Sequence, residues 1–139
     1  MIRAGVLILA LILALWEPAR AEHEVYYRYV VLGYVKDAKG TPVASVHVEL
    51  VRDKTVFSYL NEADAQGFFV LVARLGDESV GETLTLKVGG ASARIIARFD
   101  PTNHTDARGT RVDLEGAHFV ERATWFPSTL ARFLETPAR

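Results

Sequence analysis

Four histidines, His23, His47, His104 and His118, are the first residues to test for acid–base or metal chemistry. No two of them lie within four residues of each other, so no local ligand pair exists. A copper site built on a free N-terminal amine would need histidine first or third in the processed chain. Cleavage after Ala21 would make His23 second. Ordinary surface histidines are the plainer reading. Asp100, Asn103, Asp106 and Asp113 place oxygen ligands along one polar stretch, but their spacing is not that of a D-x-[DN]-x-[DN]-G calcium loop. A solvated loop fits them better. Asn103-His104-Thr105 is a glycosylation sequon, used only in a host that glycosylates exported chains. Ser92 sits in GGASAR, which reads as a hairpin and not as a G-x-S-x-G nucleophile elbow. No glycine-rich loop ends in Lys-Ser or Lys-Thr. The chain has no cysteine, which removes thiol catalysis and thiolate metal ligation. No catalytic, cofactor-binding or metal-ligating residue is assigned.

Aromatic residues offer a different chemistry. Tyr26, Tyr27, Tyr29 and Tyr34 crowd one strand-like stretch, with Tyr26 and Tyr34 on one parity and Tyr27 and Tyr29 on the other. If one set is core, the other faces outward and could stack on sugars. At the other end of the chain, Trp125, Phe126, Leu130, Phe133 and Leu134 form an apolar group that could meet a partner protein.

The elements that must position these residues are short strands. The chain has 139 residues, half of them apolar and 24% charged, an ordinary balance for one globular domain. A net charge of −1 gives no electrostatic case for nucleic acid. The opening segment is set apart: Arg3, an eleven-residue apolar run from Val6 to Trp16, then Ala19-Arg20-Ala21. That is the pattern of a secretory signal peptide over residues 1–21, and the run is shorter than the roughly 20 apolar residues that span a bilayer. An uncleaved anchor is the alternative. Cleavage would leave a periplasmic or extracellular chain of 118 residues with 14 basic and 16 acidic side chains and no later membrane span.

From Tyr26 onward, apolar alternation and turn signals recur about every ten residues, a β-sandwich pattern. Tyr26–Asp37 is aromatic and β-branched, with Gly33 marking a bulge or a close backbone approach. DAKG (Asp37–Gly40) and DAQG (Asp64–Gly67) are turns of one chemistry, the first followed by Pro42. Ser45–Asp53 alternates, with Val46, Val48 and Leu50 on one face. Val56–Asp64 follows. Phe68–Leu75 is nearly all apolar and reads as the most buried strand. Thr83–Val88 joins ASARIIARF through Gly89-Gly90, a hairpin signal. A seventh strand lies near TRVDLEG. Residues 22–116 are expected to form the sandwich and 117–139 a tail. There Pro127 opens a short amphipathic helix carrying Leu130, Phe133 and Leu134. A helix of two to three turns is marginal alone, and its own sandwich is the first surface it should meet.

The stretch GYVKDAKGTPVASVHVEL, then EADAQGFFVLVARLGD and ETLTLKV, resembles the carboxypeptidase regulatory-like domain, a transthyretin-like (prealbumin-like) sandwich. Gly33, Val35, Asp37, Gly40, Pro42, Val43 and Val46 occupy its first block, with Ser45 in place of alanine. Asp64, Gly67 and Phe69 occupy the second, with Ala63 in place of threonine. Gly76-Asp77 and Leu84, Leu86 and Val88 fit the third. The resemblance covers about Tyr29 to Val88 well and Ala91 to Leu114 loosely. It implies a seven-stranded Greek-key β-sandwich without cofactor that binds or positions another envelope or secreted protein without catalysing a reaction, since most members accompany enzymes and receptors. The hydroxyisourate hydrolases of similar fold end in Tyr-Arg-Gly-Ser, whereas this chain ends ETPAR. A carboxypeptidase catalytic domain is far larger than this chain. A carbohydrate- or cell-wall-binding module using the tyrosines is the alternative.

Overall fold

The computed structural model describes residues 25–135. Among them eight strands alternate with short turns: β1 (Tyr27–Lys36), β2 (His47–Arg52), β3 (Phe57–Glu62), β4 (Phe68–Leu75), β5 (Thr83–Val88), β6 (Ala91–Ile96), β7 (Arg108–Glu115) and β8 (His118–Glu121). A helix, α1 (Phe126–Glu135), closes the described chain. The strands form two four-stranded sheets, β4-β1-β7-β8 and β3-β2-β5-β6. All neighbours are antiparallel except β1 and β7, which run parallel. Residues 1–21, which carry the signal pattern, and His23 lie outside the described residues.

The expected seven strands become eight. The added strand, β8, lies in the stretch assigned to the tail, and it pairs with β7 from Val112↔Glu121 to Glu115↔His118. It is four residues long, too short for its alternation to stand out. The fold therefore runs on past 116, and the tail contributes both a strand and a helix.

The inner faces of the two sheets enclose the core. Tyr29, Val31, Val35, Phe69, Leu71, Leu75, Val112 and Leu114 come from the first sheet, and Val48, Leu50, Leu84, Leu86, Val88 and Ile95 from the second. Each large side chain removed from water there contributes about 1.5–3 kcal/mol before chain entropy is counted. Strict alternation of β2 and β5 places one face inward and leaves the other to solvent.

The most buried strand is β1, and not β4 as its apolar run suggests. β1 lies between two neighbours and is buried without a break from Tyr29 to Gly33. β4 is an edge strand, and its Val72 and Arg74 are exposed. A second cluster explains the difference. Val30 and Leu32 of β1, pointing outward, meet Phe126, with Phe68, Val70 and Leu130 around them. Helix α1 thus lies on the outer face of the first sheet. Phe126, Leu130 and Phe133 recur at helical spacing and supply its packing stripe.

The two expected turns form as read. Asp37 Oδ1 accepts from the backbone N–H groups of Lys39 and Thr41, and Asp64 Oδ1 from those of Gln66 and Phe68. The turns are joined through Val35, whose N–H donates to Gly67 O and whose carbonyl accepts from Val43 N–H. Gly67 needs to be glycine twice over: its φ is +77°, and a Cβ would fall 2.3 Å from Val35 O. Gly40 takes the same positive-φ role in the first turn, and Pro42 makes only an isolated bridge to Lys36.

Candidate functional site

The densest polar chemistry sits where α1 meets the first sheet. Arg111 and Asp113 alternate on the outer face of β7, and Tyr34 lies beside them on β1. The β1–β7 ladder runs from Tyr29↔Arg108 to Leu32↔Arg111 and resumes at Val35↔Leu114. In the gap, Tyr34 N–H donates 2.9 Å to Asp113 Oδ1 instead of to backbone. Gly33 permits this, because a Cβ there would lie 1.8 Å from Val112 O and 3.1 Å from Asp113 Oδ1. The expected close approach is thus confirmed, and no bulge is needed.

The Asp113 side chain is only 4% exposed. A buried carboxylate must be paired, and this one has two cations. Arg111 donates to it from Nε and Nη2 at 3.0–3.2 Å, and Arg122 donates from Nη1. Arg122 Nη2 also reaches Glu115. Two guanidinium groups therefore face two carboxylates. The bonds to Asp113, then those to Glu115, hold the Arg122 guanidinium above its usual range. Arg111 Nη1 donates 3.1 Å to Thr129 Oγ1, which itself donates to Trp125 O. The Arg111 guanidinium stacks over the Tyr34 and Trp125 rings, and Arg122 also stacks over Trp125. One carboxylate of the sheet thereby fixes both ends of the α1 N-terminal turn.

This arrangement sorts the apolar tail residues. Phe126 is buried, and its ring occupies the space that a side chain at Gly109 would need. Leu130 is half-buried against the sheet. Phe133 packs on Phe68 with ring centroids 5.5 Å apart yet stays partly exposed. Trp125 is 51% exposed and Leu134 70%. The five residues lie on one helix and its entry turn, but only Trp125, Phe133 and Leu134 still offer surface.

The tyrosines do not form an outward stripe. Tyr29 is core, and burial pushes its phenol up to about 12, partly offset by a hydrogen bond with the Arg98 backbone. Tyr34 is packed between Phe68 and Arg111. Tyr27 stacks on His104 at 4.6 Å and lies against Arg108. Tyr26 keeps the most open ring, with Arg74 over it.

A second polar cluster closes the end of the sandwich where β1 begins. Arg108, with its side chain 6% exposed, lies between the Tyr27 and Phe99 rings. It donates to Asp77 Oδ1 and to the carbonyls of Asp100 and Asn103. His104 contacts the other Asp77 oxygen at 2.9 Å. Burial of the Asp77 carboxyl is outweighed by its bonds to Arg108 and His104, which leave it below the usual carboxylate range. A shallow pocket of about 120 Å³ lies beside Arg108 and Asp106. The four polar residues considered for calcium are split: Asp113 lies under α1, whereas Asp100 and Asn103 cap their own loop and Asp106 accepts from Asn103.

Sequence reasoning missed Arg108, Arg111 and Arg122. Arginine in a strand or beside one ordinarily faces solvent, and only the neighbouring Asp113 and Trp125 hinted otherwise. The chain does contain one H-x-x-E spacing, His118 to Glu121. On β8 that spacing turns the two side chains to opposite faces, so they cannot ligate one ion. Among the described residues no group of three histidine or acidic side chains is placed to hold a metal, and no helix is long and apolar enough to cross a membrane. No protein-family model matches the chain, and no curated protein matches it. The likeness to carboxypeptidase regulatory-like domains rests on the turn and core residues alone.

Proposed function

We propose that this chain is an exported, non-enzymatic β-sandwich module that binds or positions another envelope or secreted protein. Its sandwich is of the Greek-key, transthyretin-like type of carboxypeptidase regulatory-like domains. The observation that carries the reading is Trp125. A half-exposed indole is held by two arginines whose own positions are fixed by a buried aspartate. Tryptophan and arginine dominate the energetics of protein interfaces, above all where they need no reordering on binding. Phe133 and Leu134 add exposed apolar surface on α1. The partner surface that fits is apolar, because the Arg111 donors are committed within the fold.

Export is carried by the Arg3, Val6–Trp16 and Ala19–Ala21 pattern. The test is affinity capture from envelope extract with the exported chain and its Leu134→Ser and Trp125→Ala variants, each checked for native circular dichroism. A protein recovered by the parent, competed by free parent chain and lost from both variants supports the reading. Equal recovery by all three contradicts it. Retention on polysaccharide that is lost with Tyr26→Ala would favour the carbohydrate-binding alternative.

A further inference from the structure

The sandwich has four edge strands, β4 and β8 in the first sheet and β3 and β6 in the second. An open edge is a template for another strand, and folds usually blunt it with charge, proline, shortness or cover. Three of these edges are blunted. β8 is four residues long. The outward backbone of β4 is engaged by side chains: Val70 O accepts from Asn61 Nδ2, and Arg74 N–H donates to Tyr59 Oη. β6 carries Arg94 at its middle.

β3 keeps the least of this protection: its one charge, Glu62, and the one outward N–H engaged by a side chain, Glu62 N–H donating 2.9 Å to Asn61 Oδ1, both lie at its last position. Its sequence is FSYLNE, without lysine, arginine or proline. The phase of its hydrogen bonds follows from two flanking contacts. Ala63 N–H donates to Val46 O, and Gly89 N–H to His47 O. Even-numbered residues of β2 therefore pair toward β3, and odd-numbered residues of β3 pair toward β2. Ser58 and Leu60 turn their backbone groups to the open edge, as does the Glu62 carbonyl, whereas the Glu62 N–H already donates to Asn61 Oδ1. Leu60 is 75% exposed, at the centre of that edge. Val56, just before the strand, is exposed and holds a φ of +61°, unusual for a β-branched residue.

We propose that β3 is a self-association edge, where a second copy of this chain adds its own β3 antiparallel across a two-fold axis at Leu60. This does not rest on the reading of Trp125, which lies in the turn before α1, over the other sheet. Symmetry decides the occupant. Pairing through Leu60 sets Leu60 against Leu60 of the second copy and Ser58 against Glu62, an apolar pair flanked by hydroxyl–carboxylate pairs with no like charges opposed. The same operation on β6, centred at Arg94, would oppose two arginines. The outcome is one continuous sheet across two copies, the edge of each protected by the other.

The chain has no cysteine, so Leu60→Cys in the exported full chain is a direct probe. An antiparallel hydrogen-bonded pair holds its Cα atoms about 5.5 Å apart, within disulfide reach. Under mild oxidation, Leu60→Cys should give covalent dimer on the order of tenfold faster than Lys87→Cys, on the open face but away from an edge, because pairing raises the effective thiol concentration. Adding Ser58→Pro, which removes an outward N–H that the fold does not use, should abolish the difference while circular dichroism stays native. Sedimentation equilibrium of the parent chain should show a concentration-dependent dimer that Ser58→Pro eliminates. A monomeric parent, equal crosslinking at both positions, or a dimer insensitive to Ser58→Pro overturns the proposal.

Discussion

The outer faces of the two sheets solve the same problem in opposite ways. On the first, Val30, Leu32, Phe68 and Val70 point outward, and α1 covers them. On the second, His47, Glu49, Lys87, Ser92 and Arg94 point outward and meet solvent. The cover needs more than apolar matching. A ten-residue helix is marginal by itself, and what fixes its register is Asp113, held in a gap of the β1–β7 ladder and shared by Arg111 and Arg122. The difference teaches that a sheet face is assigned to solvent or to packing by its polar residues as much as by its apolar ones. Charges on the outer face of the second sheet are spread and open, whereas Arg111, Asp113 and Arg122 beneath the helix are paired and largely buried.

The sharpest break of that contrast is Asp113→Ala. It leaves two partly buried guanidinium groups without their shared acceptor and should cost about 3–5 kcal/mol in denaturant unfolding. Its cost should exceed that of any single charge removal on the second sheet. Phe126→Ala comes next, at about 3–5 kcal/mol for a buried aromatic, toward the lower end because it sits at the end of a helix. Amide exchange in α1 should rise to that of an unpacked helix.

A pH titration separates the core from the Arg52–Glu82 pair of the second sheet. Tyr29 has its folded pKa raised from 10.0 to about 12, so its contribution is complete below pH 10 and is lost as pH rises from there toward 12. That loss is about 2–3 kcal/mol, and Tyr29→Phe should flatten the alkaline limb. On the acid side, Arg52 holds the Glu82 carboxyl below its ordinary 4.5 against the pull of burial. Its stabilisation is present above that value and falls away as pH drops through the folded pKa. Glu82→Gln should remove about 1–2 kcal/mol at neutral pH and shrink the acid-limb slope. The smallest effect belongs to the open face: Lys87→Ala should stay within about 0.5 kcal/mol.

Much of this architecture is legible in the residues. The D-x-x-G turns at Asp37 and Asp64, the alternation of β2 and β5, the β4 and β5 limits and the Gly89-Gly90 hairpin all follow from local chemistry, which acts over a few residues. Gly33 signalled a close approach, but not what approached it. Three features depended on contacts distant in sequence and were not readable. β8 takes its identity from β7. The depth of β1 comes from a helix about a hundred residues later. Tyr29 and Tyr34 look alike on paper, and only sheet order and cover bury one in the core and press the other under Arg111. The five apolar tail residues were found, yet their division into buried and available depends on Asp113, which read as part of a polar loop.

The most direct test of the central claim compares the two outer faces in the exported protein in its own host. A photoreactive residue would be placed at Leu134, on the helix-covered face, and separately at Lys87, on the open face. The account predicts one discrete crosslinked envelope or secreted protein from position 134, competed by excess parent chain, and none from position 87. The same products from both positions, or none from 134, would contradict it.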